Sequence, residues 1–149
     1  MKLVIMRHGQ ASWSAPSDAL RPLTERGRSE VLSTAKQLKG RYRLSRILAS
    51  PYRRAQETGE LLTHVLDCPT ATTLDCLVPE GDPMAVISEL PEQESVLLAS
   101  HMPLVGCLTG LLCDGTESGG PGFHTATAAV LALDLPALGV AQLLSVINP

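Results

Sequence analysis

At 149 residues, with 44% hydrophobic residues and a formal net charge of −3, the chain is long enough for one domain that buries both faces of a sheet. The charge balance leaves no basic footprint for nucleic acid or for an anionic membrane surface. Aromatic residues make up only 3%, so the core must come from Leu, Val, Ile and Ala, and the single Trp13 falls outside every periodic segment, as a loop residue would.

The first apolar run is short and ends on a charged pair, unlike a secretory segment, and no stretch of about 18 apolar residues follows it. A soluble cytoplasmic protein, without contact to a membrane, is expected. Cys68, Cys76, Cys107 and Cys113 lack C-x-x-C spacing and lie within or beside apolar segments. Small buried thiols are expected there, rather than disulfides or metal ligands.

In chain order, "KLVIM" (2–6) reads as a strand. The segment 24–39 reads as an amphipathic helix, with Thr24 as N-cap, Val31, Leu32, Ala35 and Leu38 on one side, and Gly40 as the stop. "RILAS" (46–50) is a second strand. Ser50 then reads as a cap with Pro51 at the first helical position, and Ala55, Leu61, Leu62, Val65 and Leu66 carry one apolar face to about residue 66. A shorter helix opens at Asp82-Pro83 and runs to about Leu90, "SVLLAS" (95–100) is a third strand, and a further helix covers Pro103 to about Leu112. After a glycine-rich turn at 114–122, apolar runs at 126–133 and 140–147 close the sheet. The first three strands are too continuously apolar to be half exposed. That pattern, alternating with helices, predicts a three-layer α/β/α sandwich around a mostly parallel central sheet.

Ligands of open parallel sheets bind beyond the carboxyl ends of the strands, where loops enter helix N-termini. The rule selects Arg7-His8-Gly9, the stretch from Ser50 to Arg54, and Ser100-His101. Two histidines and two or three arginines would meet in one crevice. Arginines in the first turn of a helix oppose the macrodipole by about 0.3–1 kcal/mol, so Arg53 and Arg54 each ask for a partner. For Arg53 that partner is water, Glu57 or Glu60; for Arg54 the same partners stand beside a bound anion, for which a tetrahedral phosphate suits guanidinium. Cations beside His8 would keep its imidazole neutral and able to attack phosphorus. His64 and His124 lie away from strand ends and read as structural or solvated. No Cys precedes an Arg by six positions, no phosphate-binding loop of the G-x-x-x-x-G-K-[ST] type occurs, and no Asp/His cluster suggests a two-metal hydrolase. Histidine remains as the nucleophile.

"RHG" at 7–9, "RPLTERG" at 21–27, "SPYRRAQET" at 50–58 and "SHMPLVG" at 100–106, in this order over most of the chain, resemble the histidine phosphatase superfamily, whose fold is phosphoglycerate mutase-like. The short length and "SHMPLVG" are most similar to its SixA-type phosphohistidine phosphatases. The resemblance implies that His8 forms a phosphohistidine intermediate while Arg7, Arg54 and His101 make the phosphate pocket. Arg54 is matched because the motif arginine directly precedes Ala55. Asp18, Arg21 and the backbone N–H of Met102 are implied as substrate contacts, and no metal or organic cofactor is implied.

Many relatives that cleave phosphate esters carry a Glu or Asp as general acid where this chain has Cys76, with Asp75 and Glu80 nearby. An alkoxide needs a proton to leave, whereas imidazole leaves a phosphoramidate far more readily. The expected function is therefore hydrolysis of phosphohistidine, by resemblance on a phosphotransfer domain of a signalling relay. Two alternatives stand beside it: a phosphomonoesterase on a small metabolite, with Asp75 or Glu80 as acid, and a phosphate- or phosphoprotein-binding module without turnover.

Overall fold

The computed structural model describes residues 1–68 and 70–149. Strands β1 (Lys2–Arg7), β2 (Arg46–Ala49), β3 (Ala71–Thr73), β4 (Val96–Ser100), β5 (Ala128–Ala132) and β6 (Gln142–Ile147) form one sheet in the order β3-β2-β4-β1-β5-β6. β3, β2, β4 and β1 are mutually parallel, and β5 runs antiparallel to both of its neighbours. Helices α1 (Glu25–Leu38), α2 (Arg53–Leu66), α3 (Pro83–Glu89) and α4 (Leu104–Asp114) cover the sheet. None of the described helices is long and apolar enough to cross a membrane.

The apolar strands divide their side chains between two cores. Leu3 and Ile5 of β1 and Val96 and Leu98 of β4 pack with Val86, Leu104, Leu108 and Leu112 of α3 and α4. Val4, Met6, Leu97 and Ala99 pack on the other face with Val31, Leu38 and Leu62 of α1 and α2. Period-2 alternation sends successive residues to opposite faces, so a strand covered on both must be apolar throughout. The expected three-layer sandwich with a mostly parallel sheet is observed.

Three local expectations change. β3 has only three residues and a single side chain short of full exposure, too little for a hydrophobic pattern to mark it. Helix α2 starts at Arg53 with Tyr52 as its N-cap, and the Ser50 hydroxyl, which also meets His101, accepts only from the Tyr52 N–H ahead of the helix. Of the four free cysteines only Cys68 is buried, the other three being half-buried at the margins of the layers.

The loop after β1 is fixed to the start of α1. Thr24 caps that helix by accepting from the Gly27 N–H at 2.9 Å, and its own N–H donates to the Gln10 carbonyl at 3.0 Å. Glu30 accepts from the Gln10 N–H at 2.9 Å and from the Thr125 hydroxyl at 2.9 Å. Two glycines permit the approach: a Cβ on Gly9 would stand 2.5 Å from the Gly27 carbonyl oxygen, and one on Gly27 would overlap the Gln10 carbonyl. Replacing Gly27 by Ala is expected to cost about 1–3 kcal/mol by overpacking against a main-chain oxygen, measured as a lower urea midpoint at unchanged m-value.

Candidate active site

Backbone bonds from both neighbours of β1 hold His8. Its N–H donates to the Ser100 carbonyl of β4 at 2.9 Å, and its carbonyl accepts from the Ala126 N–H at 2.9 Å. The ring Nδ1 lies 2.6 Å from the Gly9 carbonyl oxygen, which can only accept, so the hydrogen of the neutral ring sits on Nδ1. Nε2 is left with its lone pair and accepts from Arg54 Nε at 3.2 Å. The ring is 7% exposed. Burial is the main force that lowers its pKa to about 4; the Gly9 carbonyl opposes the shift, and Arg54, Arg7 and Arg21 add to it. His8 is therefore a neutral imidazole at physiological pH.

The three arginines of the site are positioned from different segments. Arg54, in the first turn of α2 and 4% exposed, donates from Nη1 to the Asp18 carbonyl at 2.7 Å and from Nη2 to the Asp18 carboxylate at 3.3 Å. Arg21 donates to the same carboxylate at 3.1 Å, to the Ser12 carbonyl at 2.8 Å and to the Ala11 carbonyl at 3.4 Å. Arg7, at the end of β1, donates from Nη1 to the Phe123 carbonyl at 2.9 Å, while its buried Nε has no partner among the described residues. Partial burial would raise the Asp18 carboxyl, but the hydrogen bonds from Arg21 and Arg54 and their charges bring it below its ordinary value.

His101 follows β4 and is 1% exposed. Its ring centre is 5.0 Å from that of His8 and 5.1 Å from that of Tyr52, which it meets edge on. Nε2 lies 2.7 Å from the Ser50 hydroxyl, and Nδ1 is buried without a partner among the described residues. Burial, then the charges of His8 and Arg54, lower its pKa to about 3. Ser50 also accepts from the Tyr52 N–H at 3.2 Å, so it fastens the end of β2 to His101.

Arg7, His8, Asp18, Arg21, Arg54, His101 and Met102 all line one open cavity of about 310 Å³, together with Gln10, Ala11, Trp13, Pro79 and Thr125. Every residue expected at the site is thus brought to it. Arg53 is not: it is exposed and pairs with Glu57 at 3.1 Å. His64 and His124 are exposed at other places on the surface. Gly9 differs in role from a phosphate-approach glycine, since its bare Cα faces Gly27 of α1 and not the cavity. Among the described residues no group of three or more His, Cys, Asp or Glu side chains could hold a metal.

The acid candidates lie apart. Asp75 and Cys76 border a separate cleft with Ser88 and Glu89 of α3, and Glu80 is exposed. The segment presents Pro79 to the cavity instead, because the turn Asp75–Leu77 and the close packing of Gly81 under the Cys76 carbonyl fold its carboxylates away. Among the described residues Asp18 is the only carboxylate lining the cavity. Ser50 and Thr58 were not singled out from sequence as site residues. Thr58 is fully buried and accepts from the Gly9 N–H at 3.3 Å. A Ser or Thr at the mouth of a strand or inside a helix has the same appearance whether it caps, back-bonds or holds a histidine.

The chain is similar to known proteins. A family model described as "Histidine phosphatase superfamily (branch 1)" matches residues 3–77. The chain is 40% identical over 141 residues to the phosphohistidine phosphatase SixA of Escherichia coli (strain K12), covering 90% of this chain and 86% of that protein. It is 37% identical over 120 residues to a SixA homolog of Haemophilus influenzae, covering 71% and 73%. A solved structure of the protein histidine phosphatase SixA complexed with tungstate superposes with a TM-score of 0.91 at 38% identity, covering 100% of this chain and 97% of that one. On the strength of the family match, and of a likeness that runs through every layer of the fold, the chain belongs to the histidine phosphatase superfamily.

Proposed function

We propose that the chain is a phosphohistidine protein phosphatase that works through a phospho-His8 intermediate. The observation that carries this reading is the state of His8: Nδ1 is tied to the Gly9 carbonyl, Nε2 carries the lone pair and meets only the Arg54 Nε–H, and no carboxylate of the 74–83 segment lines the cavity to act as a general acid. The SixA relatives are named for phosphohistidine, and the tungstate complex of one of them holds a tetrahedral oxyanion, the shape of a phosphoryl group.

In the first step the lone pair of His8 Nε2 forms a bond to phosphorus while the P–N bond of the substrate breaks. The substrate imidazole takes the bonding pair, and a proton already on its other nitrogen lets it depart neutral. Water then attacks phosphorus, the bond to Nε2 breaks, and inorganic phosphate leaves with His8 restored. Arg7, Arg54 and His101 stabilise the charge on the transferring group. The buried, unpartnered Arg7 Nε and His101 Nδ1 are the atoms that an oxyanion would satisfy. His101 can donate from Nδ1 only if Nε2 accepts, so the Ser50 hydroxyl must donate to Nε2 and thereby select the tautomer. The substrate partner is a protein phosphorylated on histidine, of the kind used in phosphotransfer relays.

Incubation with a radioactive phosphodonor should place acid-labile, base-stable label on the wild type and none on His8→Ala, whose turnover should fall by roughly 10³-fold or more. Label retained by His8→Ala would assign the intermediate to another residue. Ser50→Ala should lower kcat roughly 10-fold, the worth of one hydrogen-bonded positioning contact, with KM little changed. Fall of KM and kcat in equal proportion would contradict the tautomer role.

Stability should carry the same signature. The folded pKa values of His8 and His101, about 4 and about 3, lie below the 6.5 of an unfolded histidine. Between those limits the unfolded chain binds more protons than the folded one, so stability is full above pH 6.5 and is lost as pH falls towards 4. The loss should be on the order of 3 kcal/mol for each of the two histidines across that window. Urea titrations at pH 7, 5.5 and 4.5 measure it, and the slope should be shallower in His101→Gln.

A further inference from the structure

Trp13 is the one tryptophan of the chain, and it is 84% exposed. An aromatic ring this large in open solvent is normally mobile. Here the Arg21 guanidinium lies 3.7 Å from the ring centre, in cation–π contact. Arg21 itself cannot swing away, since its side chain is 14% exposed and its three nitrogens hold the Ser12 and Ala11 carbonyls and the Asp18 carboxylate. The ring is thus fixed on one face and bare on the other.

Its position gives that bare face a use. Trp13 lines the catalytic cavity, and it also lines a second, shallower hollow of about 230 Å³ with Ala15, Ser17, Asp18 and Arg21. With Asp18 and Arg21, which also line both, it forms the ridge between the two. A small phosphorylated molecule held at His8 fills the first hollow and has nothing to place in the second. A substrate that crosses the ridge must extend well beyond its phosphoryl group. Met102, exposed on the cavity wall supplied by the segment after β4, adds an apolar contact at the same opening.

We propose that Trp13, held rigid by Arg21, is the docking anchor for the protein that carries the phosphohistidine, packing against apolar side chains that flank the phosphorylated residue while the adjoining hollow receives one of them. This rests on the phosphohistidine reading and gives it a recognition surface. An immobilised tryptophan loses little entropy on binding, which is why such residues dominate interface energies. The contact is made by the partner and not by the transferring group, so it acts on KM and not on chemistry.

The test compares three donors on wild type, Trp13→Ala and Trp13→Phe: phosphoramidate, free phosphohistidine, and a tryptophan-free phosphotransfer protein phosphorylated on histidine. Trp13→Ala should lower kcat/KM for the protein donor about 10- to 30-fold, through KM, and leave both small donors within about twofold. Trp13→Phe should recover most of the loss. Because the chain has one tryptophan, its emission should also shift when the unphosphorylated carrier protein binds, and free imidazole and phosphate should not produce that shift. Equal losses on all three donors, or no loss on the protein donor, would overturn the docking role while leaving the phosphatase reading intact. A wild type that cleaves phosphoramidate and neither phosphohistidine donor would overturn that reading, and the docking role with it.

Discussion

The parallel register of β1 and β4, with Arg7 opposite Ser100, places His8 and His101 beside one another at the carboxyl edge of the sheet. Everything else at the site is arranged about that pair. The N–H of His8 is spent on the Ser100 carbonyl and its carbonyl on the Ala126 N–H, so the imidazole starts from a backbone with no freedom to turn. Gly9 then folds back to take the Nδ1 hydrogen, and the lone pair on Nε2 follows as a consequence of main-chain geometry. The proposed nucleophile is prepared by the backbone, with no carboxylate behind it.

This arrangement explains why two buried histidines are tolerated. Each sits among guanidinium groups in a desolvated place, and each answers by remaining neutral instead of demanding a counter-ion. The penalty appears only when acid forces protons on them. The same neutrality serves nucleophilic attack, so stability at moderate pH and reactivity at moderate pH come from one cause. The Ser50 hydroxyl extends the logic to His101, because it couples the end of β2 to the end of β4 through a single hydrogen bond.

Much of this was legible in the residues. The unbroken apolar character of "LVIM" and "VLLA" announced strands covered on both faces, and polar residues at their carboxyl ends marked the site. Arg54 is separable from Arg53 by the resemblance, since the motif arginine directly precedes Ala55, and Arg53 pairs instead with Glu57. What escaped reading depended on contacts between distant segments. β3 is held by its register with β2 and has no pattern of its own. Ser50 reads as a helix cap until His101 arrives to claim its hydroxyl. Gly9 stands at a strand end in the sequence, and only the packing of α1 shows that its missing side chain makes room for Gly27. Trp13 is a loop residue by sequence and a fixed ridge only once Arg21 lies on it.

Arg54 carries five N–H groups, and the resting structure engages three of its nitrogens, one with His8 and two with Asp18. The cage is therefore never vacant of negative charge. An arriving anion does not simply add to it; it competes with a tethered carboxylate whose local concentration is fixed by the fold. A monovalent carboxylate or chloride from solution offers Arg54 nothing that Asp18 does not already supply. A phosphoryl dianion brings more charge and more oxygens, and can reach Arg7, Arg54 and His101 at once. On the proposed mechanism Asp18 would be a threshold on entry, raising the standard of charge and shape that a ligand must meet and returning to Arg54 once inorganic phosphate has left.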